Sequence, residues 1–404
     1  MAITTGLSGN EIYCLAQKNY KPGNLVVGNS VYSLGLINSI GSGFRAIFGG
    51  EIKQLTDLIR DGREAAFDRL TKEAATDNAA AVTGVSSELI LHSGNIEFLS
   101  IGSCLHANEK TTQPFFTSSA DGQELYAQLD TGYQPISFAF GNVAYSIGVG
   151  RGLLGGIKRL ARGEILEYSD MINKTRHLAL ERIIQHAADQ KANTVLGIQT
   201  TILPFGGICE MLMVGTASRH PLLASALPDQ IITSDMTNVE MWNMASLGYA
   251  PLKLLLGTSV YSLGILGGVT SALKSFARGE INELSQMIYD ARENALGIIN
   301  REAKEIGADD VVGVKTYVYQ LNNGLIEFLA IGTAVKKISG LKAESPQLPP
   351  QAIIIDKQTF YNAAYYTSSV NINSGAKPIN NISAFWRLII FIGMIIFILC
   401  LPKH

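Results

Sequence analysis

In the segment 281–303, apolar residues recur at steps of three and four, which is the spacing of a helix with a single apolar face. Gly279 stands at the N-cap position of this helix, and Glu280 lies at the positive end of the helix dipole. The segment 51–74 has the same pattern and predicts an equivalent helix. The stripe contains several alanines, so we expect another element to pack very close to it; its members are Ile281, Leu284, Ile288, Ala291, Ala295, Ile299 and Ala303.

Runs rich in β-branched residues predict strands on both sides of the helix. The segment 25–33 predicts a strand before it, and the segments 310–319 and 325–335 predict a hairpin after it, because Asn-Asn-Gly lies between them. In the first copy the hairpin turn falls at Ser93-Gly94-Asn95. The segment 36–48, mostly apolar with glycines, predicts a short helix or a packed loop.

This set of elements occurs three times, at intervals of about 113 to 116 residues. Such an interval matches a small domain and is too long for a solenoid repeat. We therefore predict an α+β protein of three tandem domains, each with an antiparallel sheet packed by one long helix. The predicted boundaries are 1–107, 108–222 and 223–338, and the copies open at Gly28, Gly141 and Gly257.

Each copy is preceded by a short β-like run and by Glu-x-aromatic, and a fourth start at 353–356 is never completed. This start lies in a connector, 339–383, that contains several Pro, Ser and Asn residues. It is either a degenerate half-repeat that caps the third domain or an unrelated linker.

The segment 384–401 is apolar apart from Arg387 and is close to the roughly 20 residues of a membrane-spanning helix. Arg387 can snorkel to the interface, where a Trp is also favoured. We predict a tail anchor in a lipid membrane, with the bulk of the chain cytoplasmic; the alternative is a helix in the core of an oligomer. The anchor residues named by this prediction are Trp386, Arg387, Leu388, Ile392, Ile396 and Leu399.

Charged residues also recur between the copies at fixed offsets. They are either a catalytic or ligand-binding pair, or salt bridges within or between neighbouring subunits. The absence of a recurring nucleophile or histidine favours structural and interface roles and no catalytic residues. A carboxylate within an apolar strand needs a partner, and the helix arginine is the obvious one. The sets are Glu51, Glu164 and Glu280; Arg63, Arg176 and Arg292; and Glu97, Glu210 and Glu327.

Two other recurring residue types support the same interpretation. The tyrosines Tyr32, Tyr145 and Tyr261 suit core or interface positions with one polar end. The glycines Gly84, Gly197 and Gly313 are expected to allow close backbone packing. The segment 150–155 matches the letters of a dinucleotide fingerprint in one copy only, without the required βαβ context.

The charge, cysteine and histidine content limits the classes of ligand and the cellular compartment expected for this chain. Charged residues are 16% of the chain and the net charge is −2, so electrostatics give no support for binding of a nucleic acid. The four cysteines are scattered, and the first residues lack a basic and apolar signal sequence, so a reducing compartment is expected. The six histidines do not recur between copies, so neither a metal nor another cofactor is expected.

Three features are most complete in the third copy: the Gly-Glu-Ile helix start, the segment 307–314 (Gly-Ala-Asp-Asp-Val-Val-Gly-Val) and the closing strand 326–335. With these features the three copies, over roughly residues 1–338, resemble the YbjQ-like family, whose members carry a heavy-metal-binding label. This resemblance implies a small α+β fold that assembles into pentameric rings. Three copies in tandem and an apolar tail depart from the single domain of ordinary members.

The function predicted from these features is structural. The chain is expected to form a high-order homo-oligomer of five-fold or other cyclic symmetry, as stacked or laterally joined rings, a dome or a cage fixed to a membrane by its C-terminal helix. Three domains do not divide into a five-fold ring, so each ring is expected to draw one equivalent repeat from each of several chains, which gives three tiers. The alternative is a membrane-tethered module that binds a small ligand or a metal. An enzyme is not expected.

Overall fold

The computed structural model describes residues 2–33, 35, 50–92, 94–108, 113–146, 163–205, 208–228, 230–262, 282–321, 325–352 and 370–371. The chain divides into two compact units, Met1–Ser369 and Val370–His404. Several predictions lie outside the described residues, namely the 36–48 element, the 150–155 motif, the half-repeat at 353–356 and the tail 384–401. No helix within the described part is long and apolar enough to cross a bilayer.

The three repeats contain matching elements. The first has α1 (Gly9–Gln17), β1 (Tyr20–Ser33), β2 (Gly50–Glu51), α2 (Lys53–Thr76), β3 (Ala81–His92) and β4 (Asn95–Ala107). The second has β5 (Phe116–Thr117), α3 (Gly122–Asp130), β6 (Gln134–Ser146), β7 (Gly163–Glu164), α4 (Leu166–Asp189), β8 (Thr194–Phe205), β9 (Ile208–Arg219) and α5 (Pro221–Ala226). The third has β10 (Ile232–Thr233), α6 (Asn238–Ser246), β11 (Tyr249–Ser262), α7 (Asn282–Glu305), β12 (Asp310–Leu321) and β13 (Leu325–Lys337). In the second unit the described element is β14 (Val370–Asn371).

The long helix of each repeat packs on an antiparallel sheet, and this confirms the α+β class. The predicted helix at 51–74 is observed at Lys53–Thr76, where Ile59, Ala66 and Leu70 are buried. Its alanine face lies against the sheet at very short range: a Cβ on Gly28 would lie 2.0 Å from the carbonyl oxygen of Ala66. The predicted close packing on the alanine stripe is therefore confirmed.

The hairpin prediction is also confirmed in the first repeat, where Gly94 turns the chain between β3 and β4 with φ +81°. The expectation for Gly84, Gly197 and Gly313 was wrong. Each has a positive φ between +62° and +65°, and each lies where the register of its strand slips, with no atom within 4 Å of an added Cβ. These glycines form β-bulges, which need the left-handed conformation that glycine adopts without strain.

Short strands link each sheet to the neighbouring repeat. The sheets have the orders β1-β4-β3-β5, β10-β8-β9-β6-β2 and β12-β13-β11-β7. Thus β2 of the first repeat pairs with β6 of the second, and β5 of the second pairs in parallel with β3 of the first. The second and third repeats exchange β7 and β10 in the same way. The exchanged strands cross the predicted boundaries at 107/108 and 222/223.

The start of the long helix differs from the expected glycine cap. In the first two repeats the N-cap is an isoleucine, Ile52 or Ile165, and neither makes a side-chain capping bond. The preceding Gly-Glu pair forms the exchanged strand instead, and the amide of Ile52 donates to the carbonyl oxygen of Ala144 in the next repeat at 2.8 Å. Gly279 and Glu280 of the third repeat lie outside the described residues.

Candidate functional site: the junctions between repeats

The first junction contains a buried ion pair between two repeats. Arg63 on α2 reaches Glu210 on β9, with Nε–Oε1 2.9 Å and Nη2–Oε2 2.7 Å. Both side chains are fully buried. Nη1 of Arg63 donates to the carbonyl oxygen and the hydroxyl of Ser87 at 3.0 and 2.9 Å. This bidentate geometry satisfies the guanidinium without water.

The second junction has the same pair at the equivalent positions. Nε of Arg176 on α4 donates to Oε1 of Glu327 on β13 at 3.2 Å, and Nη2 contacts the same oxygen. Burial disfavours the charged guanidinium, but the carboxylate of Glu327 outweighs burial and keeps the pKa of Arg176 above its usual value. The guanidinium also lies 5.8 Å from the ring centre of Tyr319.

The predicted Arg and Glu sets therefore meet across repeats and not within one copy. Two members are left over at the ends of the series. Glu97 of the first repeat accepts from Nδ2 of Asn29 at 3.0 Å and lies 2.7 Å from Nε2 of His92. The hydrogen bond with His92 holds the pKa of Glu97 below its usual value. Arg292 of the third repeat is exposed, and no ion pair joins it to another residue of the described ranges.

The helix-start carboxylates line the edge of each junction. Glu51 pairs with Nη2 of Arg182 at 2.5 Å. Glu164 accepts from the hydroxyl of Ser259 at 2.8 Å and from Nδ2 of Asn294 at 2.9 Å, both in the next repeat. Glu280 lies outside the described residues.

Backbone groups complete the contact between each helix start and the neighbouring sheet. The amide of Ala144 donates to the hydroxyl of Thr56 at 2.9 Å, and Nδ2 of Asn142 donates to the Thr56 carbonyl oxygen at 3.1 Å. At the second junction the amide of Val260 donates to the hydroxyl of Ser169 at 2.8 Å. The two junctions are thus built to one plan.

The three predicted tyrosines occupy equivalent strand positions with different exposure. Tyr145 and Tyr261 are buried, and Tyr32 is half-buried with an edge-to-face contact to Phe98 at 5.7 Å between ring centres. Burial raises the pKa of Tyr145 well above its ordinary value. The hydroxyl of Tyr261 accepts from Nδ2 of Asn294 at 2.9 Å.

One buried carboxylate, Asp130, is absent from the residues predicted by comparing the three copies with one another. Asp130 ends α3 and is fully buried. It accepts from Nζ of Lys18 in the first repeat at 2.8 Å, from Nε1 of Trp242 in the third at 2.7 Å, and from the hydroxyl of Ser345 after the third at 2.7 Å. It therefore ties three repeats and the following segment together. No residue of its type recurs at this position, so a search for recurring residues passes over it.

We expect the contribution of Asp130 to stability to depend on pH. Burial raises the pKa of Asp130, but hydrogen bonds from Lys18, Trp242 and Ser345 outweigh burial and hold it below its usual value. Its stabilising effect is therefore full above the unfolded value of about 3.9 and is lost as pH falls through the lower folded value. Asp130→Asn should lower the free energy of unfolding by about 2–3 kcal/mol at pH 7.

Urea unfolding of both proteins at pH 7 and at pH 2.5 checks this expectation. The difference between wild type and Asp130→Asn should shrink at the lower pH, because the unfolded carboxyl is then protonated and the lowered pKa of the folded carboxyl makes falling pH favour unfolding of the wild type. An unchanged difference would mean that the charge of Asp130 contributes nothing.

A family model described as "Putative heavy-metal-binding" matches residues 15–100, 132–220 and 242–338, which together exceed half of the chain. The chain belongs to this YbjQ family. The resemblance predicted for three tandem copies is thereby confirmed, and the three matched segments form one YbjQ chain.

Relatives of two kinds match this YbjQ protein. The "Encapsulin nanocompartment protein Rv1762c" of Mycobacterium tuberculosis is 27% identical over 239 residues, which are 57% of this chain and 89% of that protein. A UPF0145 protein of Methanoregula boonei is 40% identical over 83 residues, covering 20% of this chain and 69% of that protein. A UPF0145 protein of Vibrio campbellii is 40% identical over 78 residues, covering 19% of this chain and 75% of that protein.

The family description names heavy metals, and a metal site needs several His, Cys, Asp or Glu side chains close together. Among the described residues, no group of three His, Cys, Asp or Glu side chains could hold an ion. Near the end of α2, Nε2 of His106 lies 3.4 Å from Oδ2 of Asp77, but the carboxylate also accepts from the amide and side chain of Asn24. Burial raises the pKa of the neighbouring Cys104 thiol to about 12, so it stays protonated. These residues do not fit a thiolate-metal centre.

Proposed function

We propose that this protein is a structural, self-assembling protein, not an enzyme, whose repeats are the building blocks of a ring or shell. The observation that carries the proposal is the junction itself. Each of the first two repeats inserts a strand and a buried arginine into the next, and receives a strand in return. A surface of this kind is complementary to another copy of the same fold. The name of the M. tuberculosis relative, a nanocompartment protein, supports the same role.

The arrangement within a ring follows from the way the repeats are joined. Consecutive repeats meet side by side through their sheet edges. We therefore propose that one chain supplies consecutive members of one ring, and that it does not supply one member to each of three tiers. Such homo-oligomeric rings of five-fold or other cyclic symmetry could then stack, or close as a dome or cage.

Attachment to a membrane is the second part of the proposal. It rests on the sequence of residues 384–401, whose length and apolar character suit a bilayer. The repeats would then lie on the cytoplasmic side as a tail-anchored assembly.

Comparison of the full chain with a truncation ending at Ser383 tests both parts. We expect large symmetric particles from both in negative-stain images, because the junction surfaces lie in the repeats. Only the full chain should float with phosphatidylcholine vesicles in a density gradient, because the truncation lacks the apolar tail.

Two other outcomes would change the proposal. Assembly of the full chain alone would make the tail an oligomerisation element. Monomers of 43.5 kDa for the full chain would contradict the structural function and favour a binding module.

A further inference from the structure

Among the residues that the structure describes, the three repeats form two junctions and leave one face uncovered at each end. The face that receives a neighbour, here called the acceptor face, consists of the edge of the first long strand and the Glu of the closing strand. The face that inserts, here called the donor face, consists of the start of the long helix and its Arg. Within the described ranges, the acceptor face of the first repeat and the donor face of the third have no neighbour.

The acceptor face of the first repeat is open where its equivalents are covered. Among the described residues, β1 is an edge strand, whereas β6 and β11 carry β2 and β7. Val31 on β1 is 57% exposed, whereas its equivalents Ala144 and Val260 are fully buried by the preceding repeat. An apolar side chain that is buried twice and exposed once indicates a missing neighbour.

The leading helix of the first repeat shows the same difference. Tyr13 on α1 is 52% exposed. Its equivalents Tyr126 on α3 and Trp242 on α6 are buried, because α1 packs on α3 and α3 packs on α6. The helix α1 thus presents the surface on which a preceding leading helix would lie.

The donor face of the third repeat is likewise open. Arg292 on α7 is exposed, whereas Arg63 and Arg176 are fully buried at the two internal junctions. Tyr289, one turn earlier on α7, is 59% exposed. A cation that has no ion-pair partner among the described residues, beside an exposed aromatic ring on a helix, is chemically complementary to an apolar strand that carries a carboxylate.

We propose that two copies of this chain join head to tail, with the donor face of one third repeat on the acceptor face of the next copy's first repeat. Arg292 of one copy then binds Glu97 of the next. The inference rests on the proposed self-assembly and specifies the surface that performs it. It follows from continuity with two junctions of identical plan and from the opposite charges left at the two ends.

The local contacts of the joint follow from the internal junctions. Ser285 holds the position of Thr56 and Ser169, so its hydroxyl would accept from the amide of Val31, as they accept from Ala144 and Val260. Asn29 now donates to Glu97, whereas its equivalent Asn142 donates to the carbonyl oxygen of Thr56. Asn29 would therefore turn to Ser285 and free the carboxylate of Glu97 for Arg292.

A joint of this kind is heterologous, so every chain uses both of its faces. Such contacts close into a ring when the rotation per chain divides a full turn, and otherwise extend as a filament. The angle between adjacent repeats thus determines how many chains complete the assembly.

Charge reversal on the full-length protein in detergent tests the joint. Arg292→Glu and Glu97→Arg each place like charges together, and each should raise the concentration for half-assembly at least about tenfold. The double variant Arg292→Glu with Glu97→Arg should regain assembly, because the two reversed residues form an opposite-charge pair at every joint, whatever the number of chains in the ring. Arg301→Glu, an exposed residue nine positions further along α7, is the matched control and should assemble as the wild type does.

The possible results separate this inference from the proposed function. If the wild type does not assemble, the proposed function fails. If the wild type assembles and both reversals assemble at the same concentrations, or if the double variant does not recover, the head-to-tail joint is overturned while self-assembly stands. Below the concentration at which the wild type assembles, thermal unfolding followed by circular dichroism should give nearly the same midpoint for the wild type and for both variants, which excludes misfolding as the cause of lost assembly.

Discussion

Replacement of Arg63 by methionine is expected to lower the free energy of unfolding by about 3–5 kcal/mol. The change leaves Glu210 fully buried without its bidentate partner, 147 positions away in sequence and in the next repeat. Its desolvation is then uncompensated, and the junction between the first two repeats is weakened. Urea unfolding followed by circular dichroism measures the loss.

Two variants make this test specific. Arg63→Met with Glu210→Leu should recover most of the loss, because removing both charges leaves no unpaired buried ion. Glu97→Gln should lower the free energy of unfolding by less than about 1 kcal/mol, because its partner His92 is half exposed and solvent screens the pair. Equal losses in Arg63→Met and Glu97→Gln would contradict the importance assigned to the junction.

Replacement of Gly141 by alanine is expected to destabilise the second repeat by about 3 kcal/mol or more. An added Cβ would lie 2.3 Å from the carbonyl oxygen of Ala179 and 2.6 Å from the amide nitrogen of Ile183, both in the backbone of α4. Backbone atoms cannot rotate away, so the helix would have to move off the sheet. The thermal midpoint and urea unfolding both report this change.

The control is the same substitution at Gly297 in the middle of α7. No atom lies within 4 Å of an added Cβ there, and alanine favours a helix more than glycine does. Gly297→Ala should therefore raise the free energy of unfolding by about 0.5–1 kcal/mol. Similar effects of the two substitutions would show that the clash at Gly141 is absent.

Local features of this fold were predictable, and partner choice was not. The helix over 53–76 and the turn at Gly94 follow from periodicity and turn chemistry, which depend on neighbouring residues. The sequence also indicated that a helix arginine would pair with a strand glutamate. It could not assign Arg63 to Glu210, because the three copies have the same spacing and offer the same residue types.

The mispredicted helix start, the mispredicted glycines and the missed buried carboxylate have one cause: each depends on contacts with residues distant in sequence. Gly50-Glu51 looks like a helix start, and its use as a strand depends on the edge of another repeat's sheet. Gly84 looks like a packing glycine, and only the register slip against β4 identifies it as a bulge. Asp130 forms its contacts with residues from three separate regions, none of which lies near it in sequence.

Because successive repeats exchange strands, the nascent chain can complete each of the first two sheets only after part of the following repeat has been synthesised. The sheet of the first repeat lacks β5 until Phe116 and Thr117 have left the ribosome, and Arg63 lacks its carboxylate until Glu210 has been made. Each repeat therefore reaches its final state only after the following one has emerged. Contacts between distant residues form late, so the nascent chain matures one junction at a time, from the N-terminus onward.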